Sequence, residues 1–224
     1  MLPIGDDNPT MLTPYVNWAI ILSCILAFLW QTSEGTNHFI YTLMNFGIVP
    51  ARIAAGEGLY TFVTNIFLHG GWAHLLGNML FLWIFGDNIE DCCGHLRYLL
   101  FYILTGVIAS ALWIATAWGS PYPAVGASGA ISGVLGAYFV LYPGARVRTI
   151  VGFGFFWRVI RLRAWTMIGL WAAYQFLLAY VALDTGVAYW AHVGGFVAGI
   201  FLSKVFQRRL RKPTADYNNL DFYR

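Results

Sequence analysis

The chain has 224 residues, 59% of them hydrophobic and 10% charged, with a mean hydropathy of +0.63. Soluble domains carry about 25% charged residues, and a core of this size cannot absorb so many apolar side chains without a lipid-facing surface, so an ordinary soluble globule is excluded. The net charge of +3 is small; no nucleic-acid partner is expected, and where the cations lie matters more than their sum.

Asp6 and Asp7 stand ahead of the first apolar run, with no Lys or Arg. That is the reverse of a signal-peptide n-region, so the first segment is expected to be retained as a helix. A bilayer-spanning helix needs roughly 17–25 mostly apolar residues. Six segments approach that length: 15–31, 72–89, 98–118, 127–142, 164–183 and 186–206. The fourth is short and ends at Pro143-Gly144. The reading is an all-α polytopic membrane protein of six transmembrane helices in a single domain, core 12–207, with a short N-terminal arm and a basic tail. Residues 32–71 read as an ordered loop lying partly in the membrane interface, where Trp and Tyr prefer to sit. Residues 151–157 are apolar, short and flanked by arginines, which predicts an interfacial segment rather than a seventh span.

Orientation follows from the cations. With six spans and the N-terminus inside, inner loops and tail hold Arg97, Arg146, Arg148, Arg158, Arg161, Arg163, Lys204, Arg208, Arg209, Arg211, Lys212 and Arg224, which leaves Arg52 alone outside. The positive-inside rule puts both termini in the cytoplasm, in a plasma (inner) membrane. Cys24, Cys92 and Cys93 give no disulfide framework and are expected to be reduced structural thiols.

Intramembrane polar groups are costly and mark function. His74 and Asn78 lie at i and i+4, on one face of the second helix. Ser128 opens the fourth helix, and His192 lies early in the sixth. These helices all enter from the outer side, so the four groups share one depth, toward the outer leaflet. A free serine hydroxyl is a poor nucleophile; His192 can be its base if the two helices approach closely. Gly129 and Gly133, and Gly195 and Gly199, form small-xxx-small pairs that permit this, with Gly126 ahead of the serine. Asp184 is more than two turns from His192, so a Ser128–His192 dyad is predicted rather than a triad. The free N–H groups at the start of the fourth helix, with Asn78 and His74, can donate to an oxyanion. No metal and no cofactor is expected. The active site opens to the outer side.

His-Gly-Gly-Trp-Ala-His-Leu-Leu-Gly-Asn at 69–78, Gly-Ala-Ser-Gly at 126–129 and Ala-His-Val-Gly-Gly-Phe-Val-Ala-Gly at 191–199 together resemble the rhomboid family of intramembrane serine proteases. The resemblance implies a six-helix bundle with Ser128 as nucleophile, His192 as base, and His74, Asn78 and the Ser128 N–H as oxyanion hole. It also implies transmembrane protein substrates cut in or near the membrane, a non-catalytic His69, and a gate at the fifth helix, which carries Gln175. Two positions depart from the pattern. Tyr60-Thr61 stand where some members have Trp-Arg, and Ser132 stands where some have a Tyr stacked on the base, which leaves open what orients His192. The competing readings are an inactive rhomboid-like client binder, and a metal transporter using His69, His74 and His192 that leaves Ser128 unexplained.

Overall fold

In the computed structural model, which describes residues 1–153, 156–181 and 186–208, the first apolar segment is helix α1 (Tyr15–Thr32), entered through Pro14. The stretch after it is ordered and largely helical: α2 (Gly35–Phe46), α3 (Pro50–Ala54), α4 (Thr61–Thr64) and a 3₁₀ turn (Asn65–Phe67). Next come α5 (Trp72–Cys93) and α6 (His95–Thr116), which meet at a corner made by Gly94 alone. Gly94 has φ +78° there, a value that favours glycine. Helices α7 (Ser128–Leu141), α8 (Ala164–Val181) and α9 (Tyr189–Phe206) complete the bundle.

By length and composition, α1, α6, α8 and α9 are able to cross a membrane. Helix α5 is as long but carries Asp87, Glu90 and Asp91 near its end, and α7 is a shorter apolar helix of 14 residues. The chain is a multi-pass membrane protein. Its outer surface fits lipid: Leu22, Leu26 and Leu29 on α1, Leu170 and Leu177 on α8, and Phe201 and Val205 on α9 are exposed.

Helix α7 is the centre. Every residue from 129 to 138 is buried, as expected of a helix that is apolar all round. It packs against α5, α6, α8 and α9. The glycines make the closest passes. A Cβ on Gly195 would lie 2.0 Å from the Gly129 carbonyl oxygen, one on Gly199 2.0 Å from that of Gly133, and one on Gly136 2.1 Å from that of Phe196. The two pairs read from the sequence serve different neighbours. Gly195 and Gly199 accommodate α7, whereas the missing side chains of Gly129 and Gly133 make room for Ala109 and Thr105 of α6.

The all-α expectation is corrected by a three-stranded antiparallel sheet. Strand β1 (Leu2–Asp6) pairs with β2 (Arg146–Phe153), which pairs with β3 (Phe156–Arg163). Of the segment expected to lie at the interface, residues 151–153 end β2 and residues 156–157 begin β3. Arg146 and Arg148 alternate with buried Val147 and Thr149, the period of two that marks a strand; a search for span-length apolar runs passes over it. The N-terminal arm becomes an edge strand, where Pro3 is tolerated. Asp7 bridges Arg148 and Arg161 at 3.5 and 3.2 Å.

Polar contacts tie the arm and α1 to the end of the bundle remote from Ser128. The fully buried Glu90 carboxylate accepts from the Val16 and Asn17 N–H groups at 3.0 and 2.7 Å, which caps α1, and meets His95 Nδ1 at 2.5 Å. Tyr98 donates to Asn17 Oδ1 at 2.8 Å. Asp91 accepts from the Met11 and Leu12 N–H groups at 3.2 and 2.8 Å.

Asp6 reaches the Tyr138 hydroxyl of α7. Burial raises its pKa from 3.8 to about 7; the Tyr138 hydrogen bond opposes the rise, and Asp87 and Asp7 add to it. Between those two values the folded chain keeps a proton that the unfolded chain has lost. The stabilisation is therefore complete below the lower value and disappears as pH rises through the upper one. Hydrogen exchange of the β1 amides, corrected for the intrinsic pH trend, is expected to show docking weakening from about pH 4 to about pH 7 and levelling off above, and Asp6→Asn is expected to flatten that dependence. A corrected wild-type profile as flat as the variant's would contradict this account.

Candidate functional site

Ser128 is the first residue of α7, His192 the fourth of α9, and His74 the third of α5. The sixth segment starts as a helix at Tyr189 rather than 186, so His192 sits within its first turn. The three side chains thus share one end of the bundle, as the sequence pattern predicts, and Asn78 follows His74 one turn further in.

Ser128 Oγ and His192 Nε2 are 2.8 Å apart. On the other side of the ring, His192 Nδ1 and Gln175 Oε1 are 2.7 Å apart. Gln175 is buried on α8. The Trp171 ring lies 6.2 Å from the imidazole and inclined to it by 34°, and Tyr189 approaches edge-on at 6.2 Å. Ser132, one turn after Ser128, donates back to the Ser128 carbonyl at 2.6 Å and makes no hydrogen bond to His192. The Nδ1 side of His192 is therefore met from α8. Sequence reasoning placed Gln175 at a gate and missed this contact. The signal was present: Gln175 is an amide in an otherwise apolar 18-residue helix, and such groups face partners inside the bundle. Asp184 lies outside the described residues.

Gly126 fixes the approach to the serine. Its φ is +135°, a region that side chains rarely adopt, and its N–H donates to the Asn65 carbonyl at 2.9 Å. A Cβ there would lie 2.8 Å from His74 Nε2 and 3.5 Å from Ser128 Oγ, so only glycine lets these two groups share the space. His74 Nδ1 accepts a long, weak bond of 3.4 Å from the Gly70 N–H. That leaves Nε2 as the protonated nitrogen, turned toward Gly126 and the start of α7. Asn78 Nδ2 is buried and has no hydrogen-bond partner among the described residues, an uncommon state for a buried donor. The Ser128 N–H is one of the free donors at a helix start.

His69 supports this arrangement from behind. Its backbone is clamped by Gln31, which accepts from the His69 N–H at 2.9 Å and donates to its carbonyl at 3.3 Å. Its ring meets His74 edge-on at 5.3 Å. Burial, helped by His74, lowers its pKa to about 3, so it is neutral near pH 7 and unsuited to proton transfer there. A cavity of about 200 Å³ lined by Met11, Asp91, Tyr142 and Arg208 lies at the opposite end of the bundle, away from Ser128.

A family model described as "Rhomboid domain" matches residues 56–209. The chain is 34% identical over 182 residues to "Rhomboid protease GluP" of Bacillus subtilis (strain 168), covering 81% of this chain and 32% of that protein. It is 28% identical over 187 residues to "RHOMBOID-like protein 5" of Arabidopsis thaliana, covering 80% and 53%. It is also 29% identical over 179 residues to "Inactive rhomboid protein 1" of Danio rerio, covering 75% and 17%. The chain thus spans about a third of the first of these relatives and about half of the second.

Proposed function

The chain belongs to the rhomboid family, and on that premise we propose that it is an intramembrane serine endopeptidase that cleaves transmembrane segments of other membrane proteins. The observation that carries this reading is the 2.8 Å contact between Ser128 Oγ and His192 Nε2, on two helices held together at glycines. It supplies the nucleophile and general base that acyl transfer needs. His192 Nε2 takes the Ser128 proton as Oγ attacks the scissile carbonyl. The oxyanion that forms is met by the Ser128 N–H, His74 Nε2–H and Asn78 Nδ2–H. His192 then gives its proton to the leaving amine, and water hydrolyses the acyl-enzyme by the same steps in reverse order.

The membrane arrangement belongs to this reading. Six helices, α1, α5, α6, α7, α8 and α9, cross the bilayer, with both termini on the cytoplasmic side of a plasma membrane and Ser128 toward the outer face. Helix α7 is too short to span a full hydrocarbon core alone, which lets water reach its first turn.

The similarity to an inactive relative gives the alternative, a client binder without hydrolysis. A fluorophosphonate probe and a transmembrane reporter peptide separate the two. Purified protein is expected to be labelled and to cleave the reporter; absence of both refutes the protease reading. Asn78→Ala is expected to lower turnover by about 10²-fold while labelling persists more weakly, because one oxyanion donor of several is removed. Unchanged turnover would remove Asn78 from the hole.

A further inference from the structure

A neutral imidazole has one N–H and one lone pair. If His192 Nε2 is to take the proton of Ser128, its lone pair must face the hydroxyl, and Nδ1 must carry the hydrogen. That hydrogen needs an acceptor, because a donor left unpaired away from water is destabilising. Gln175 Oε1, 2.7 Å from Nδ1, is the acceptor in place. With the amide oriented this way, the opposite tautomer would turn the ring's Nε2–H toward Ser128 and leave two acceptors, Nδ1 and Gln175 Oε1, facing each other at 2.7 Å.

We infer that Gln175 is the positioning residue of the base: it selects the His192 tautomer whose Nε2 can accept the Ser128 proton, so that the working unit is Ser128–His192–Gln175 rather than a dyad. This rests on the protease reading. Three features make the amide suited to the role. It is buried on α8, so water does not compete for Oε1. It sits one turn after Trp171, whose ring lies beside the same imidazole, so one helix face sets both the hydrogen bond and the tilt of the ring. The side chain at 132 is turned away toward the Ser128 carbonyl, so α8 is the element that holds the base. As a neutral acceptor, Gln175 orients His192 without adding a charge to the interior, which a carboxylate at the same depth would do at considerable cost.

The test compares wild type with Gln175→Met, which keeps the volume and removes the acceptor, and with Gln175→Glu, which keeps the acceptor. Gln175→Met is expected to lower kcat and the rate of fluorophosphonate labelling by about 10–100-fold with KM and melting temperature near wild type. The reason is that the ring loses its tautomer preference while its packing remains. Gln175→Glu is expected to recover most of the labelling rate. Its added negative charge is expected to move the acid limb of the pH–rate profile to higher pH, since it favours the protonated ring. A purely structural role would lower melting temperature in both variants and leave the shape of the profile unchanged. Wild-type kcat in Gln175→Met, or failure of Gln175→Glu to exceed Gln175→Met, overturns the assignment. If wild type itself neither labels nor cleaves, it is the protease reading that has failed.

Discussion

Replacing Ser128 by alanine is expected to lower reporter cleavage by about 10⁴-fold or more and to abolish fluorophosphonate labelling, with the fold intact. The hydroxyl is the one nucleophilic atom in hydrogen-bond contact with His192 Nε2 among the described residues. Its loss removes a single hydrogen bond and leaves every helix contact of α7 in place, because the buried face of that helix begins at Gly129. Residual rate would come from the oxyanion donors and from substrate positioning alone. His192→Ala is expected to fall to a similar level, and the double variant to fall no further, since on the proposed mechanism nucleophile and base act as one unit. Turnover of Ser128→Ala within tenfold of wild type, or a double variant far below either single one, would break that coupling. Melting temperature distinguishes chemical loss from unfolding: the three variants should melt within a few degrees of wild type.

A loss of activity of about 10²-fold is expected from Gly195→Ala, for a reason that lies in packing. The added carbon would stand 2.0 Å from the Gly129 carbonyl oxygen and 3.2 Å from Ser132 Cβ. The first of these is backbone of a helix buried on all sides, so it cannot turn away. Relief requires α9 to move off α7 by about 1 Å, and overpacking of this kind costs about 1–3 kcal/mol. His192 lies one turn before Gly195 and would travel with the helix, stretching its 2.8 Å contact with Ser128 beyond useful length. A 1 Å misplacement alone can cost about 10²-fold in rate. Gly195→Ala is therefore expected to melt lower and to label slowly. Gly77→Ala is the control: a Cβ there meets nothing within 4 Å, and alanine favours helix over glycine by about 1 kcal/mol. If Gly77→Ala is as damaging as Gly195→Ala, close approach of α7 and α9 is not what holds the site.

Much of this site was legible in the chain. The hydrophobic runs located α1 and α5 to α9 to within a few residues, because burial in lipid is a local property of about 15–20 consecutive side chains. His74, Asn78, Ser128 and His192 were found because a polar group in an apolar run stands out, and because their positions near segment starts predicted one depth. The glycines were found for the same reason, although which neighbour each one accommodates was not readable.

What escaped was every feature that depends on where a side chain points across elements. Gln175 is 17 residues from His192, and its role depends on the rotation of α8 about its axis. Ser132 had the right spacing for the base and the wrong partner. Strand β1 pairs with a segment more than 140 residues away, and five residues cannot specify an edge partner at that distance. The sequence by itself determined what must be buried in lipid and which residues are candidates to carry chemistry, since hydropathy and residue type are fixed one position at a time. Only the tertiary structure decided that α8 contacts His192 and that the N-terminal arm joins a sheet, because helix rotation and strand register are set by packing among all the elements together.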